Sequence, residues 1–474
     1  MVFSSNIFLF LFLPAFLIAH AAAPRHARNL VIIAGSYAFY AWWRVDFLAL
    51  FIAVTLMNYL VGQRIAASHE RDDDRSARRW LAAGVTADLS VLGWFKYANF
   101  GVDSFNRLLE TAGLGPFEIT QVILPIGISF YIFQALSYLV DVYRRDTPAA
   151  RGLVDFAAFI ALFPQLIAGP VLRYKDMARQ LQRRRLGLRR FADGSGRFMQ
   201  GFVKKVLIAD SIAPLADAGF ALANPSTADA WLATAAYTVQ LYFDFSGYTD
   251  MAIGLGLMLG FRFPENFRQP YVAQSITEFW RRWHMSLSSW LKDYLYVPLG
   301  GNRHGPIRTY RNLLLTMVLG GLWHGANWTF VAWGAWHGAI LAVERLLGVD
   351  ASPRGFSAWR WALTLLLVML GWVAFRAPTI GEAGTLYAAM FSFADGQLSD
   401  AFRAEIARLH LAALAAGVAT LIIGGLADRR RAQPRGTMAL RPAPLAALCA
   451  VPLFAVAVVK LTATNYSPFL YFQF

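Results

Sequence analysis

Apolar runs separated by short polar connections set the pattern of this chain. A helix needs about 20 predominantly apolar residues to cross a bilayer. The first run, 2–23, could pass for a cleaved leader, because Ala19-His20-Ala21 imitates a cleavage site. A leader opens on positive charge, and the first 24 residues carry no Lys or Arg. The run therefore reads as a retained spanning helix. Further runs follow at 29–43, 47–61, 80–95, 121–140, 156–168, 199–222, 230–259, 313–343, 361–374, 411–426 and 444–459. Several are too short or too long for one clean crossing. Together they predict an all-α polytopic membrane protein with roughly ten to twelve transmembrane helices. In 277–290, Trp280, Trp283, Leu287 and Trp290 recur at helical spacing, which predicts an amphipathic helix lying at the interface.

Charge sorts the connections by side. Arg25 and Arg28 follow the first run, Arg64 to Arg79 the third, and Arg144, Arg145 and Arg151 the fifth. Alternating basic loops are the cytoplasmic ones, which puts the N-terminus outside. The scheme fails at 156–168, which is flanked by Arg151 on one side and by Arg173, Lys175, Arg179, Arg183, Arg184, Arg185, Arg189 and Arg190 on the other. One crossing cannot leave both flanks in the cytoplasm. Pro164 and Gly169-Pro170 also break the run. A re-entrant segment fits both facts, and non-helical backbone at membrane depth implies a cavity or a protein surround. A short surface helix is the alternative.

Composition narrows the class. Of 474 residues, 57% are hydrophobic and 15% charged, against about 25% charged in soluble domains. A soluble enzyme and a disordered chain are both excluded as defaults. The 44 Lys+Arg against 29 Asp+Glu give a net charge of +15. These charges are spread over many loops instead of gathered on one face, so they mark topology and meet anionic lipid heads and are not a nucleic-acid surface. Cys449 stands alone, which excludes an internal disulfide or thiolate cluster and reads as a packed thiol. No repeat or linker appears. The chain reads as a single integral membrane domain, 1–474, with core motifs in 95–345 and C-terminal helices and tail in 346–474. The basic, Pro-rich stretch 428–444 is a loop within it.

Polar groups inside such apolar surroundings are costly and face a cavity or a partner by default. They are densest in 242–338. No Lys, Arg, Asp or Glu occurs in 312–343, yet His324 follows Gly320-Gly321 there. A neutral imidazole at low dielectric suits general-base work; a structural histidine bonded to a carbonyl is the alternative. His337 lies 13 residues on, about 220° further round a continuous helix, so the two do not form a ligand pair. No HExxH, CxxC, P-loop, GxGxxG or GxSxG pattern is present, which leaves metal, nucleotide and serine-triad chemistry without a motif.

Several segments carry a family resemblance: Phe95-Lys96-Tyr97-Ala98-Asn99-Phe100, Leu124-Pro125-Ile126-Gly127-Ile128-Ser129-Phe130, Phe163-Pro164-Gln165-Leu166, Lys204-Lys205-Val206-Leu207, Glu278-Phe279-Trp280-Arg281-Arg282-Trp283-His284 and Gly321-Leu322-Trp323-His324-Gly325. The chain resembles the membrane-bound O-acyltransferase family, and within it the bacterial alginate O-acetyltransferase branch. The resemblance implies a multi-pass acyltransferase of the bacterial inner membrane, with re-entrant and interfacial helices around a central tunnel. His324 matches the family's near-invariant histidine and His284 its second motif histidine. Trp283, Arg281, Asp244, Tyr242, Asn266, Trp323 and Asn327 become candidates for binding substrate. The implied donor is cytoplasmic acetyl-CoA, with no bound cofactor and no metal. The implied product is an O-acetylated exopolysaccharide such as alginate. The implied partners are a periplasmic O-acetyltransferase, a polysaccharide synthesis and secretion complex, and membrane lipids. The C-terminal Phe469-Leu470-Tyr471-Phe472 resembles a motif of related acyl-transfer systems, which makes Tyr471 either an acyl relay or an aromatic belt anchor. Two other readings stay open: a non-catalytic carrier of acyl groups or glycans, and an acyltransferase of the same family acting on cellulose, peptidoglycan or a lipid.

Overall fold

The computed structural model describes residues 2–167, 169–349, 355–393, 396–431 and 444–464. Among them all regular structure is helical. Asp46–Glu70, Ala358–Arg376 and Arg408–Arg429 are long and apolar enough to cross a membrane, and Phe8–Ala22, Ile128–Tyr143 and Ala450–Ala463 are shorter apolar helices. Their outer faces are bare: Ile423 is 67% exposed and Val459 68%. In water each such side chain would forgo about 2 kcal/mol of burial; against lipid tails it forgoes nothing. The protein is an all-α membrane protein.

The chain forms two compact units, each discontinuous in sequence. Met1–Ser195 with Ala252–Pro264 makes the first, and Gly196–Met251 with Glu265–Phe474 the second.

In the first unit, Asp46–Glu70 turns at Arg71–Asp73 into Asp74–Thr111. Asp73 caps the second helix by accepting from the Ser76 N–H at 2.9 Å. The pair is then fixed in register by Asn58, whose amide donates to Asp88 at 2.8 Å in full burial. The helix predicted across 156–168 is broken, as its prolines suggested. Leu153–Ala161 and Phe163–Leu166 flank Leu162, whose ψ is 96°. Pro164 sits in the first turn of the second piece, where its missing N–H costs no hydrogen bond. The Phe163 N–H donates instead to Ser36 Oγ at 3.1 Å. The Phe163 ring packs among Phe12, Phe16 and Phe39 with centroids 5.0–5.4 Å apart. Gly127, at φ +74°, lets the Leu166 carbonyl pass where a Cβ would lie 2.5 Å from its oxygen. The break is thus wrapped in protein, the condition for irregular backbone at membrane depth.

In the second unit, the run 313–343 folds as a hairpin. Gly305–His324 ends at Gly325, and Trp328–Leu346 starts from Asn327, whose side chain accepts from the Thr329 N–H at 3.1 Å. Small residues bring the two helices together: a Cβ on Gly334 would lie 2.8 Å from Val318 Cα, and one on Gly338 3.0 Å from Leu314 Cα. Close approach through glycines is the usual means of helix association in membranes.

The amphipathic helix expected over 277–290 does not form as one piece. Ile276–Trp280 and Met285–Leu291 are separate, and His284 between them has φ +43°. A continuous helix would bond the Ser286 N–H to the Arg282 carbonyl. Here that carbonyl accepts from the Arg268 N–H at 2.9 Å, and the Ser286 N–H donates to Asn266 Oδ1 at 3.2 Å. The segment 266–268 has captured the ladder. Trp283, Leu287 and Trp290 are buried, not spread along an interface.

Candidate active site

The two short helices around His284 are held at several points. Ser275 Oγ caps the first helix by accepting from the Glu278 N–H at 3.0 Å, while Glu278 reaches back one residue past the cap to accept from the Gln274 N–H at 2.9 Å. Glu344, at the far end of the hairpin, accepts from the Thr277 N–H at 2.8 Å and the Thr277 hydroxyl at 2.7 Å, and from the Ile276 N–H. These bonds satisfy the orphan donors of the helix start. Arg282 donates to Glu278 at 2.9 Å and to Asp428 at 2.7 Å.

His284 is wholly buried. Its Nδ1 lies 3.1 Å from Asn266 Oδ1, which also accepts from the Ser286 hydroxyl at 2.8 Å and from the Ser286 N–H. A backbone N–H can only donate, so the amide atom it meets is the oxygen. An amide oxygen can only accept, so His284 Nδ1 carries the proton. Burial disfavours the charged ring and pulls the His284 pKa well down. With the proton on Nδ1, the neutral ring presents Nε2 as a bare lone pair, and among the described residues that atom has no hydrogen-bond partner.

His324 closes the first helix of the hairpin, 4% exposed. Its ring centroid is 6.3 Å from that of His284. Trp323, Trp333 and Phe375 stand 5.1–5.3 Å from it, and Phe245 stands 4.8 Å from His284. The site is two imidazoles in an aromatic box, close enough for one oxygen-bearing group to touch both. His337 enters the same box. The break at Gly325 puts it on the returning helix, with Trp333 5.1 Å away between it and His324. Neither of its nitrogens has a partner among the described residues.

The remaining candidates divide. Asn266 holds His284, and Trp323 touches both rings, 6.1 Å from His284. Trp283 and Tyr242 are buried in an aromatic layer with Phe267, Tyr271 and Phe279. Asp244 lies in a buried ion pair, 2.6 Å from Lys205 Nζ. Asn327 caps its helix and donates to the Pro378 carbonyl at 2.8 Å. Arg281 is exposed, and its neighbour Arg282 is the arginine tied into the motif. Tyr471 lies outside the described residues. Sequence reasoning missed Arg282, Glu344 and Phe375. Glu344 had a signal: it is the first charge after the neutral stretch 312–343. Among the described residues no three His, Cys, Asp or Glu side chains gather as a metal site. The geometry offers a buried imidazole with an open nitrogen and a second imidazole beside it, an arrangement that suits proton abstraction from a hydroxyl.

Known proteins bear on this arrangement. The sequence profile of the membrane-bound O-acyltransferase family matches residues 114–381. The chain is similar to a probable alginate O-acetylase of Azotobacter vinelandii, 56% identical over the full length of both chains. It is 57% identical to another of Pseudomonas putida, again over the full length of both. It is 38% identical to a peptidoglycan O-acetyltransferase of Helicobacter pylori over 81% of this chain and 78% of that one. With the family profile covering more than half of its length, the chain belongs to the membrane-bound O-acyltransferase family and is an acyltransferase of membranes.

Proposed function

We propose that the chain is a multi-pass O-acetyltransferase of the bacterial inner membrane, one integral domain, that takes acetyl from cytoplasmic acetyl-CoA and passes it across the membrane for O-acetylation of an exopolysaccharide, alginate foremost. The names of its full-length relatives support the acetyl group and the polymer. The observation that carries the chemistry is the His284–His324 pair, with the bare Nε2 of His284 fixed by Asn266. His324 is the general base: it removes the proton of the accepting hydroxyl as that oxygen attacks the thioester carbonyl. The C–S bond breaks, the CoA thiolate leaves, and the imidazolium returns the proton to it. His284 takes no share of that proton: held by Asn266, it packs beside His324 and positions the hydroxyl-bearing group within the aromatic box. Trp323 and Asn266 position the pair, and Trp283, Tyr242 and Asp244 hold the aromatic and ionic layers behind it.

The first acceptor is Tyr471, a reading that rests on the sequence of the tail. Its phenol has an ordinary pKa of about 10 and needs the imidazole to become a nucleophile. An aryl acetate on Tyr471 divides one transmembrane transfer into two steps. A periplasmic O-acetyltransferase partner then takes the acetyl and regenerates the phenol. The test is His324→Ala at matched membrane abundance. The O-acetyl content of secreted polymer is expected to fall at least about 100-fold; unchanged acetylation overturns the reading. A non-catalytic carrier would tolerate His324→Gln. Radiolabelled acetyl retained equally by Tyr471→Phe would remove the relay.

A further inference from the structure

The first unit holds a cavity of about 370 Å³ lined by Gln180, Arg183, Arg184, Arg185, Arg190, Gly260 and Arg262. We infer that this cavity binds an anion carrying two or more phosphate charges. Its lining includes neither histidine of the pair, and the inference does not rest on the proposed acetyl transfer.

The cavity is built, not accidental. Gln180 clasps Arg262 through both ends of its amide, accepting from the Arg262 N–H at 2.8 Å and donating to the Arg262 carbonyl at 3.3 Å. Gly260, at φ +86°, brings this turn against the basic segment; a Cβ there would lie 3.1 Å from the Arg185 carbonyl. Arg190 donates to the Arg185 carbonyl at 2.9 Å. Arg184 spends one guanidinium nitrogen on Asn29 and the Leu181 carbonyl, and Arg190 spends one on the Arg185 and Gly260 carbonyls. The Arg185 and Arg262 side chains make no hydrogen bond among the described residues and remain for something else.

Charge is the second observation. Five arginines line one cavity, and among the described residues none of them has a carboxylate within ion-pair distance. Asp155 is linked to Arg184 through Asn29, which accepts from Arg184 at 2.6 Å and donates to Asp155 at 2.7 Å. Arg184 lies over the Phe261 ring at 4.7 Å, and its Nε–H is buried with no acceptor among the described residues. Burial, then the charge of Arg28, pulls its pKa down to about 10. So many like charges repel one another unless an anion sits among them. Arginine forks match phosphate oxygens in pairs. The size suits a small molecule or a lipid headgroup.

The shared chemistry has two sources: a soluble nucleotide such as coenzyme A, or the headgroup of an anionic phospholipid. The full-length protein in phosphatidylcholine nanodiscs separates them. Coenzyme A is titrated by calorimetry at low and high salt, and retention of cardiolipin, which carries two phosphates, is read by native mass spectrometry. Arg185→Gln combined with Arg262→Gln removes two exposed charges whose side chains make no hydrogen bond among the described residues. Arg345→Gln, in the second unit, is the control. Expected is salt-sensitive binding of one ligand, weakened about 10- to 100-fold in the double variant, partly kept by the corresponding lysine variants, and unaffected in the control. Binding of coenzyme A assigns a nucleotide, and binding of the lipid assigns a headgroup. Binding of neither, or equal binding by wild type and double variant, overturns the inference.

Discussion

Asn266 decides which nitrogen of His284 is available. Its oxygen accepts three hydrogen bonds, two from Ser286 and one from His284 Nδ1. Asn266→Ala releases the ring to flip or change tautomer and removes interactions worth about 1 kcal/mol each. Acetyl transfer by membranes of matched protein content is expected to fall tenfold or more. Asn266→Asp keeps an acceptor at the same point and is expected to retain more activity than the alanine variant. Equal activity of wild type and Asn266→Ala would remove the tautomer argument. Asn266 and His284 could each be singled out from sequence as polar groups in apolar surroundings. Their partnership could not, because 18 residues separate them and the link is a hydrogen bond with no local pattern.

At the scale of elements, sequence periodicity located the helices and misjudged where they stop. The run 156–168 contains Pro164 and is followed at once by Gly169-Pro170, and its break was legible. The run 277–290 carries no such breaker. Its helix fails because 266–268 takes the hydrogen bonds that a helix would use, and a tertiary competitor leaves no local signal. The hairpin 305–346 lies between: glycines were visible at 321, 334 and 338, but their partners were not. Those partners give a test. A Cβ on Gly334 would press on Val318 Cα at 2.8 Å, backbone that cannot swing aside, and the helix it displaces carries His324. Gly334→Ala is expected to lower both the thermal midpoint in detergent and activity. Gly384 lies in the helix Ile380–Ser392 with nothing within 4 Å of an added Cβ. Gly384→Ala is expected to be neutral or to stabilise by up to about 1 kcal/mol through helix propensity. If the two variants behave alike in a thermal melt, close approach is not what the hairpin glycines provide.

Over the whole molecule, charge follows two rules. Net basicity sits on connections, where the sequence showed it. Around Lys204 and Lys205 in the second unit, buried charge is neutralised in place, which composition could not show. Lys205, 1% exposed, lies 2.6 Å from both Asp210 and Asp244. Asp250 is held 2.6 Å from Lys204 and 2.6 Å from Arg197, which also reaches Glu265 at 2.7 Å. The chain here includes a π-helical stretch, Lys204–Ala209, which shifts the two lysines relative to the turns on either side. A buried pair is weak evidence of net stabilisation, yet removing one member strands the other and costs about 3–5 kcal/mol. Asp250→Asn leaves Lys204 without its carboxylate, while Arg197 keeps Glu265. Its accumulation in membranes is expected to fall sharply. Adding Lys204→Met removes the stranded charge and fills similar volume with apolar atoms, so the double variant is expected to recover a large part of the lost protein. A carboxylate lost from the exposed Arg44–Asp46 pair has no such effect, since surface pairs are screened and weak. The diagnostic quantity is the coupling between the two substitutions at positions 204 and 250. If it is absent and the double variant is as poor as Asp250→Asn, the network is bound by something other than charge neutralisation.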